Sequence, residues 1–357
     1  MGGVFLINVT DYTLATRIEL VQDDQPISWL TLNHLNIRVW GKTFTCGGIG
    51  GVGTKEEFRR RGYSRSVLDK SVEVMKDKGF HFSLLFGIPN FYYRWGFASC
   101  LPQNRVEIPT YQAERAPLTH EVEEMRPEDF HAIVEIFNDN NKCRTGSVVR
   151  DPEHFTKFRL GSHFGVRAQG YVLKKDGQIE GYLVLDQLDR KINAAEIEGR
   201  NISAYYSAMA FLAKLAVEKR TEQISANLPA DHQFTLIARN YGATVAANYI
   251  YNADGMGRII TQEPVLKALE EDLYRNCGLD SETVSLVFST DLGTTKLGAG
   301  KEAKVEIDQM ALTQLIFGYR DPKSLIHEGR LKSDLSPETL TAMFPLRIAH
   351  LSGPDKF

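Results

Sequence analysis

The sequence predicts an α+β, or mixed α/β, protein of more than one domain, and three observations carry that expectation. Strand-like segments form a meander between Thr16 and Thr54, an amphipathic helix and a short apolar strand follow it, and the same order of elements returns in the second half. At 357 residues, against ~150 for a typical domain, two or three domains are expected.

Residues Thr16 to Leu20 alternate as a strand does, Asp23-Asp24-Gln25-Pro26 makes a turn, and Ile27 to Trp40 reads as a long strand. Gly41-Lys42 turns the chain into a further strand, Thr43 to Thr54, giving a three-strand antiparallel meander as the first ordered feature. From Tyr63 to Lys78 the period changes to that of a helix, with Val67, Leu68, Val72 and Met75 on one side and Gly79 closing it. Phe82 to Gly87 then suits a buried strand. Strand, helix, strand implies a parallel pair with the helix as crossover.

A second unit begins near Thr119, with a strand from Glu121 to Arg126 and a helix from Pro127 to Asn138. In GYVLKKDGQIEGYLVLDQ, Asp176-Gly177 stands between two alternating apolar runs, which is a hairpin signal. Helix Ile202 to Arg220, strand Gln223 to Asn227 and helix Phe234 to Asn240 complete the repeated order. A third unit from about Gln262 contains a helix from Val265 to Tyr274, strands near Thr283 to Ser289 and Ala303 to Ile307, and a helix from Asp308 to Phe317.

Composition narrows the function classes. A net charge of −3, with 43% apolar and 24% charged residues, is that of an ordinary globular protein and argues for neither nucleic acid nor an anionic membrane as partner. The longest apolar run, Phe82 to Ile88, falls far short of the ~20 residues a bilayer-spanning helix needs. The opening MGGVFLINV has no basic n-region or cleavage site, and Leu6 stands where a myristoylation signal wants Ser or Thr, so the expected location is cytoplasmic. The four cysteines are scattered without a CxxC pair, and the nine histidines lack an HxxxH spacing, so no metal site is expected.

The chemistry concentrates in GGIGGVGTKEEFRRRGYSRS, Gly47 to Ser66, which sets a strand, a basic loop with a glycine, and a helix start in succession. Unpaired amides at a helix N-terminus bind phosphate oxygens, and glycine lets the backbone approach them. Arg59, Arg60, Arg61 and Arg65 add cations that stay charged, so a pyrophosphate or ribose phosphate is a natural guest. Three arginines alone would also suit a solvated face or a nucleic-acid patch; the strand before and the helix after favour the anion site. It is not a Walker loop, since no GKS or GKT follows, and the GxGxxG form is absent around Gly62.

This stretch resembles the coenzyme A loop of the GNAT superfamily of N-acetyltransferases, in which Arg or Gln is followed after two residues by Gly and then by a small residue. Arg59, Gly62 and Ser64 supply that pattern. NFYYRWGF supplies the superfamily's second mark, an aromatic pair followed by Gly and an aromatic, as Phe91, Tyr92, Gly96 and Phe97. The similarity extends to the Eis (enhanced intracellular survival) type, which joins a catalytic GNAT domain, a degenerate second copy and a sterol-carrier-protein-like domain. Ala311 to Leu331 and the ending Phe344 to Phe357 look like that last domain. The implied fold is two tandem GNAT folds, each a central mixed sheet flanked by helices, plus a C-terminal α+β domain. The implied boundaries are 1–117, 118–261 and 262–357.

The resemblance implies acetyl-CoA as cosubstrate, no metal, and direct attack of an amine on the thioester. Backbone groups at Val52 and Thr54 would run beside the pantetheine arm, and Arg59, Arg60, Gly62, Tyr63 and Ser64 would hold the pyrophosphate. Tyr92 would protonate the departing thiolate, and the terminal carboxylate of Phe357 would take up the amine's proton. The acceptor would be a primary amine of a small molecule, aminoglycoside-like, or of a lysine, and the chain would assemble as a homo-oligomer. No Arg-x-x-Gly loop lies between Glu196 and Ile202, so the second copy is expected to bind no coenzyme. The superfamily usually covers the acceptor side with a strand and two helices, for which the residues before Thr16 leave little room. The competing reading is a non-catalytic lipid-binding or assembly protein that retains the fold.

Overall fold

A computed structural model describes residues 5–357. Met1–Val4, which form part of the leader reading, lie outside the described residues. The chain divides into two compact units: Met1–Leu101 with Ile250–Ala349 and Phe357, and Pro102–Tyr249 with His350–Lys356.

The first unit opens with β1 (Phe5–Tyr12), β2 (Ala15–Gln22), β3 (Gln25–Val39) and β4 (Lys42–Thr54), a continuous antiparallel meander. The meander therefore has four strands, and the sheet starts at Phe5 rather than Thr16. Nearly every residue of β1 is exposed, so the strand shows no inside-outside alternation by which sequence reading detects one. Helix α1 (Tyr63–Asp77) returns the chain to β5 (Phe82–Gly87), which runs parallel to β4. A single 3-10 turn, Tyr92–Trp95, precedes β6 (Ala98–Leu101).

Strand β7 (Gln103–Pro109) begins the second unit, followed by α2 (Thr110–Ala113), β8 (Glu121–Glu124), α3 (Phe130–Asn140), β9 (Ala168–Lys175), β10 (Gln178–Asp186) and β11 (Ile192–Gly199). Helix α4 (Ile202–Glu218), β12 (Gln223–Ala226), α5 (Gln233–Ala238) and β13 (Thr244–Asn248) complete it. Its sheet has the order β13-β7-β12-β11-β10-β9-β8. The apolar face of α4, including Ala208, Met209, Leu212 and Ala216, packs in one cluster with Leu183, Ile197 and Ile224 of the sheet.

The chain then re-enters the first unit. Strand β14 (Asp254–Ile259) inserts between β5 and β6, antiparallel to both, and gives the sheet order β1-β2-β3-β4-β5-β14-β6. Helix α6 (Gln262–Cys277), β15 (Val284–Thr290), β16 (Gly293–Leu297), β17 (Lys301–Ile307), α7 (Gln309–Ile316), α8 (Pro322–His327), β18 (Leu331–Ser333) and α9 (Pro337–Met343) follow. They build a separate four-stranded sheet, β16-β15-β17-β18, with its helices.

Helix α1 holds one face of the first sheet. Val67, Leu68, Val74 and Met75 are buried against Ile18, Leu20, Leu30 and Leu32, and each fully buried side chain of this size stabilises by roughly 1.5–3 kcal/mol. Val74 is buried, whereas Val72 is only half-buried. Burial also pushes the Cys46 and Cys100 thiols up, so both stay protonated inside the core.

Candidate active site

The centre of the site is a parting of two strands. The parallel pairing of β4 with β5 runs from Cys46–Phe82 to Ile49–Leu85 and stops there, although β4 continues to Thr54 and β5 to Gly87. A bulge helps to drive β4 away. Thr31 of β3 pairs with Gly50 but Trp29 pairs with Gly53, so β4 carries one extra residue, and Gly51 takes φ +57° within it. From Gly50 to Thr54 the β5-facing edge of β4 has no strand partner among the described residues. Unpaired backbone groups of this kind can accept an extended ligand as an added strand.

Val52 and Thr54 lie on that free stretch, both half-buried. Thr54 is fixed from β3, where the Ser28 hydroxyl lies 2.9 Å from its Oγ1 and donates to the Gly53 carbonyl at 3.1 Å. Beyond Thr54 the chain makes a short turn, and the Arg59 Nε donates back to the Thr54 carbonyl at 3.3 Å. Arg60 and Gly62 have left-handed backbones, φ +62° and +84°. Gly62 stands where α1 begins, and a Cβ there would meet nothing within 4 Å, so its glycine serves the backbone conformation, not packing.

Helix α1 has no side-chain cap. The Arg65 amide bonds the Gly62 carbonyl at 2.9 Å, while the amides of Gly62, Tyr63 and Ser64 have no intramolecular partner among the described residues. Arg59, Arg60, Arg61 and Arg65 are exposed, and none forms an ion pair among the described residues. Three open amides, a helix dipole and guanidinium groups outside any ion pair are the features that favour a bound anion. Tyr63 packs on Phe58 and Phe5, with ring centroids 6.2 and 5.3 Å away.

Tyr92 follows the end of β5. Its ring packs so closely on Gly87 that a Cβ there would fall 2.5 Å from the ring, and Phe91 meets it edge-on at 4.9 Å. The hydroxyl makes no hydrogen bond among the described residues, yet it is not an enclosed unsatisfied atom, so it is open to whatever enters the site. Burial of the ring pushes the phenol's pKa up, and it keeps its proton at neutral pH. The turn carrying it is anchored by three elements. The Trp95 indole donates to Asp69 of α1 at 2.7 Å, Arg258 of β14 donates to the Trp95 carbonyl, and the Gln309 amide donates to the Gly96 carbonyl at 2.6 Å.

Phe357 lies on the opposite face of the same sheet. Alternation places Gly47 and Ile49 toward α1 and Gly48 and Gly50 away from it. An ideal Cβ on Gly48 would stand 2.8 Å from the Phe357 ring, and one on Gly50 would stand 2.8 Å from its carboxyl carbon and 3.0 Å from a carboxyl oxygen. Glycine at position 50 is therefore required by the close approach of the last residue. Phe86 of β5 meets the Phe357 ring at 5.9 Å. Tyr92 and the Phe357 carboxyl thus flank the parting of β4 and β5, one on each face.

Sequence reading did not find the residues beside Phe357. Asn33 of β3 donates to the Gly48 carbonyl at 3.0 Å, and its Nδ2 lies within 3.3 Å of the Cβ position of Gly50. Two cross-strand rows run to this point, Thr10-Arg17-Thr31-Gly50 and Asn8-Glu19-Trp29-Gly53. A polar Asn in the middle of the long alternating run from Ile27 to Trp40 was the available signal.

Among the described residues no group of three or more His, Cys, Asp or Glu side chains is arranged to hold a metal, and no helix is long and apolar enough to cross a membrane. No curated protein matches the chain. Residues 12–100 match the model of the acetyltransferase (GNAT) domain, and this stretch contains β2 to β5, the arginine loop and Tyr92. Three solved structures are alike over nearly the whole length, each at 15% identity. A probable N-acyltransferase from Enterococcus faecalis V583 has a TM-score of 0.75, with 97% of this chain and 90% of that one covered. A GCN5-related N-acetyltransferase from Anabaena variabilis gives 0.72 with 94% and 88%, and Eis1 from Mycobacterium abscessus gives 0.67 with 94% and 89%. The chain therefore has a mixed α/β fold of sheets flanked by helices, shared with these proteins along nearly its full length, and residues 12–100 carry the acetyltransferase (GNAT) domain pattern.

Proposed function

We propose that the chain is an acetyl-CoA-dependent N-acetyltransferase that moves the acetyl group directly onto a primary amine. The observation that carries this reading is the parting of β4 and β5 next to an uncapped, arginine-flanked helix start. A thioester carrier matches that layout: an extended arm that pairs with a strand edge, ending in a diphosphate. The free stretch through Val52 and Thr54 pairs with the pantetheine arm, while Arg59, Arg60 and the amides of Gly62, Tyr63 and Ser64 hold the diphosphate.

The thioester then lies at the mouth of the parting, where a backbone amide of β4 polarises its carbonyl as charge develops on the oxygen. The amine attacks the carbonyl carbon, the carbon–sulfur bond breaks, coenzyme A leaves as a thiolate that takes the proton of Tyr92, and the phenolate regains a proton through water from the nitrogen as it becomes the amide. The raised phenol pKa keeps that proton available throughout the neutral range. The Phe357 carboxylate, on the other face, holds the incoming ammonium and receives its proton through water, since an α-carboxyl of reference pKa ~3.5 is too weak a base to hold it for long. A homo-oligomer and a sterol-carrier-like C-terminal domain complete the proposal.

Calorimetric titration with acetyl-CoA tests it. Binding at micromolar concentration with one site per chain is expected; absence of heat at high micromolar concentration would remove the enzyme reading. Light scattering on the purified chain reports the oligomer separately.

A further inference from the structure

We propose that the acceptor is a monoamine on an aromatic or other apolar body rather than a polycation; this rests on the acetyl-transfer reading above. The cross-strand rows that reach Gly48, Gly50 and Gly53 on the Phe357 face carry two ionised side chains, Arg17 and Glu19. These two neutralise each other. The Arg17 Nε lies 2.9 Å from Glu19 Oε1, both side chains are 28% exposed, and Arg17 also donates to Thr31 at 3.2 Å. The carboxyl of Phe357 is then the one anion these rows leave for a ligand.

The other side chains that meet these glycines are apolar or neutral. Trp29 lies over Gly53 with ring atoms 2.7 Å from an ideal Cβ, Leu35 reaches to 2.9 Å of that on Gly48, and Phe86 packs edge-on to Phe357. Trp29 and Phe86 are half-buried, so each keeps surface that a ligand can cover. An acceptor with one ammonium uses the single carboxylate and buries its body against these rings. Each further ammonium of a polycation would lose hydration here without a carboxylate to replace it.

Thiol release from acetyl-CoA, measured on the full chain with 2-phenylethylamine, spermidine and kanamycin, decides the matter. The expected order is a higher kcat/KM for 2-phenylethylamine than for either polycation. The reverse order overturns the inference and leaves the enzyme reading intact, as does absence of release with all three when acetyl-CoA still binds by calorimetry. Absence of acetyl-CoA binding overturns both. Arg17→Gln sharpens the result, because it frees Glu19 as a second carboxylate: the ratio of spermidine to 2-phenylethylamine kcat/KM should rise about 2- to 5-fold. An unchanged or falling ratio would count against the charge argument.

Discussion

The two large sheets contain the same local arrangement and treat it in opposite ways. In the second unit β11 pairs in parallel with β12 from Ile192–Ile224 to Ala194–Ala226 and then runs on to Gly199 with only its β10 edge paired, as β4 runs on beyond Ile49 with only its β3 edge paired. There the likeness ends. Eight residues, Lys55 to Gly62, separate β4 from α1, whereas Arg200 and Asn201 alone separate β11 from α4. The Asn201 side chain accepts from the Ala204 amide at 3.0 Å and caps α4, while Arg200 is bound to Glu135 at 2.7 Å. The parting strand itself carries Glu196 and Glu198, both buried. Arg150 makes two bonds to Glu196, at 2.8 and 2.6 Å, and two to Asp355, at 2.9 and 3.1 Å, and Tyr182 donates to Glu196 at 2.7 Å. One unit leaves amides and guanidinium groups open to an anion, and the other satisfies its own groups and presents buried carboxylates. Topology makes the gap, and loop length and charge decide whether its polar groups stay open or are satisfied within the unit.

The largest expected effect falls on the closed gap. Arg150→Met leaves Glu196 and Asp355 buried without their cation, and about 3–5 kcal/mol of stability should be lost in denaturant titrations, with acetyl-CoA affinity of the surviving folded fraction unchanged. Tyr92→Phe acts on the open gap. Turnover should fall about 10²-fold with little change in acetyl-CoA affinity, because one proton donor is removed and no binding group is. The phenol is acidic in function only while protonated, and its folded pKa is raised, so its share of activity persists through neutral pH and disappears as pH rises through that elevated value. A pH–rate profile in which wild type and Tyr92→Phe share the same alkaline limb would assign the donor elsewhere.

Smaller effects separate the two gaps further. Arg59→Ala should weaken acetyl-CoA binding about 10-fold and reduce its salt dependence, read by calorimetry at two ionic strengths. Asn201→Ala, at the equivalent helix start, should cost about 1 kcal/mol of stability and leave coenzyme affinity alone. Equal effects of these two changes on coenzyme binding would mean that both helix starts bind it.

Local features were legible in the sequence and long-range ones were not. The strand, arginine loop and helix start from Gly47 to Ser66 follow from residues close in sequence, and β2 to β5 and α1 fall where periodicity predicts them. Strand β14, Asp-Gly-Met-Gly-Arg-Ile, lacks the alternating apolar and polar pattern of a strand because glycines occupy alternate positions. They are there because Leu101 and Cys100 press on the strand, leaving 2.6 and 2.7 Å to ideal Cβ positions on Gly255 and Gly257. The strip of five glycines on β4 was visible, but that the last residue of the chain would lie on two of them had no local signal and came from resemblance. Glu196 and Glu198 lie on β11, a strand that the sequence reading does not include. That the first is bound by an arginine nearly fifty positions earlier is a property of the packed unit.

The insertion of β14 between β5 and β6 also sets a timetable for synthesis. When the ribosome has released the first hundred residues, β5 and β6 exist but lack the strand that joins them, and it arrives only after the whole second sheet has been translated. Until then two apolar strand edges stand open to wrong partners. A fragment ending near Leu101 should therefore aggregate, however complete its arginine loop, and refolding of the intact chain should be slow, with the second unit gaining protection from hydrogen exchange before β5 does.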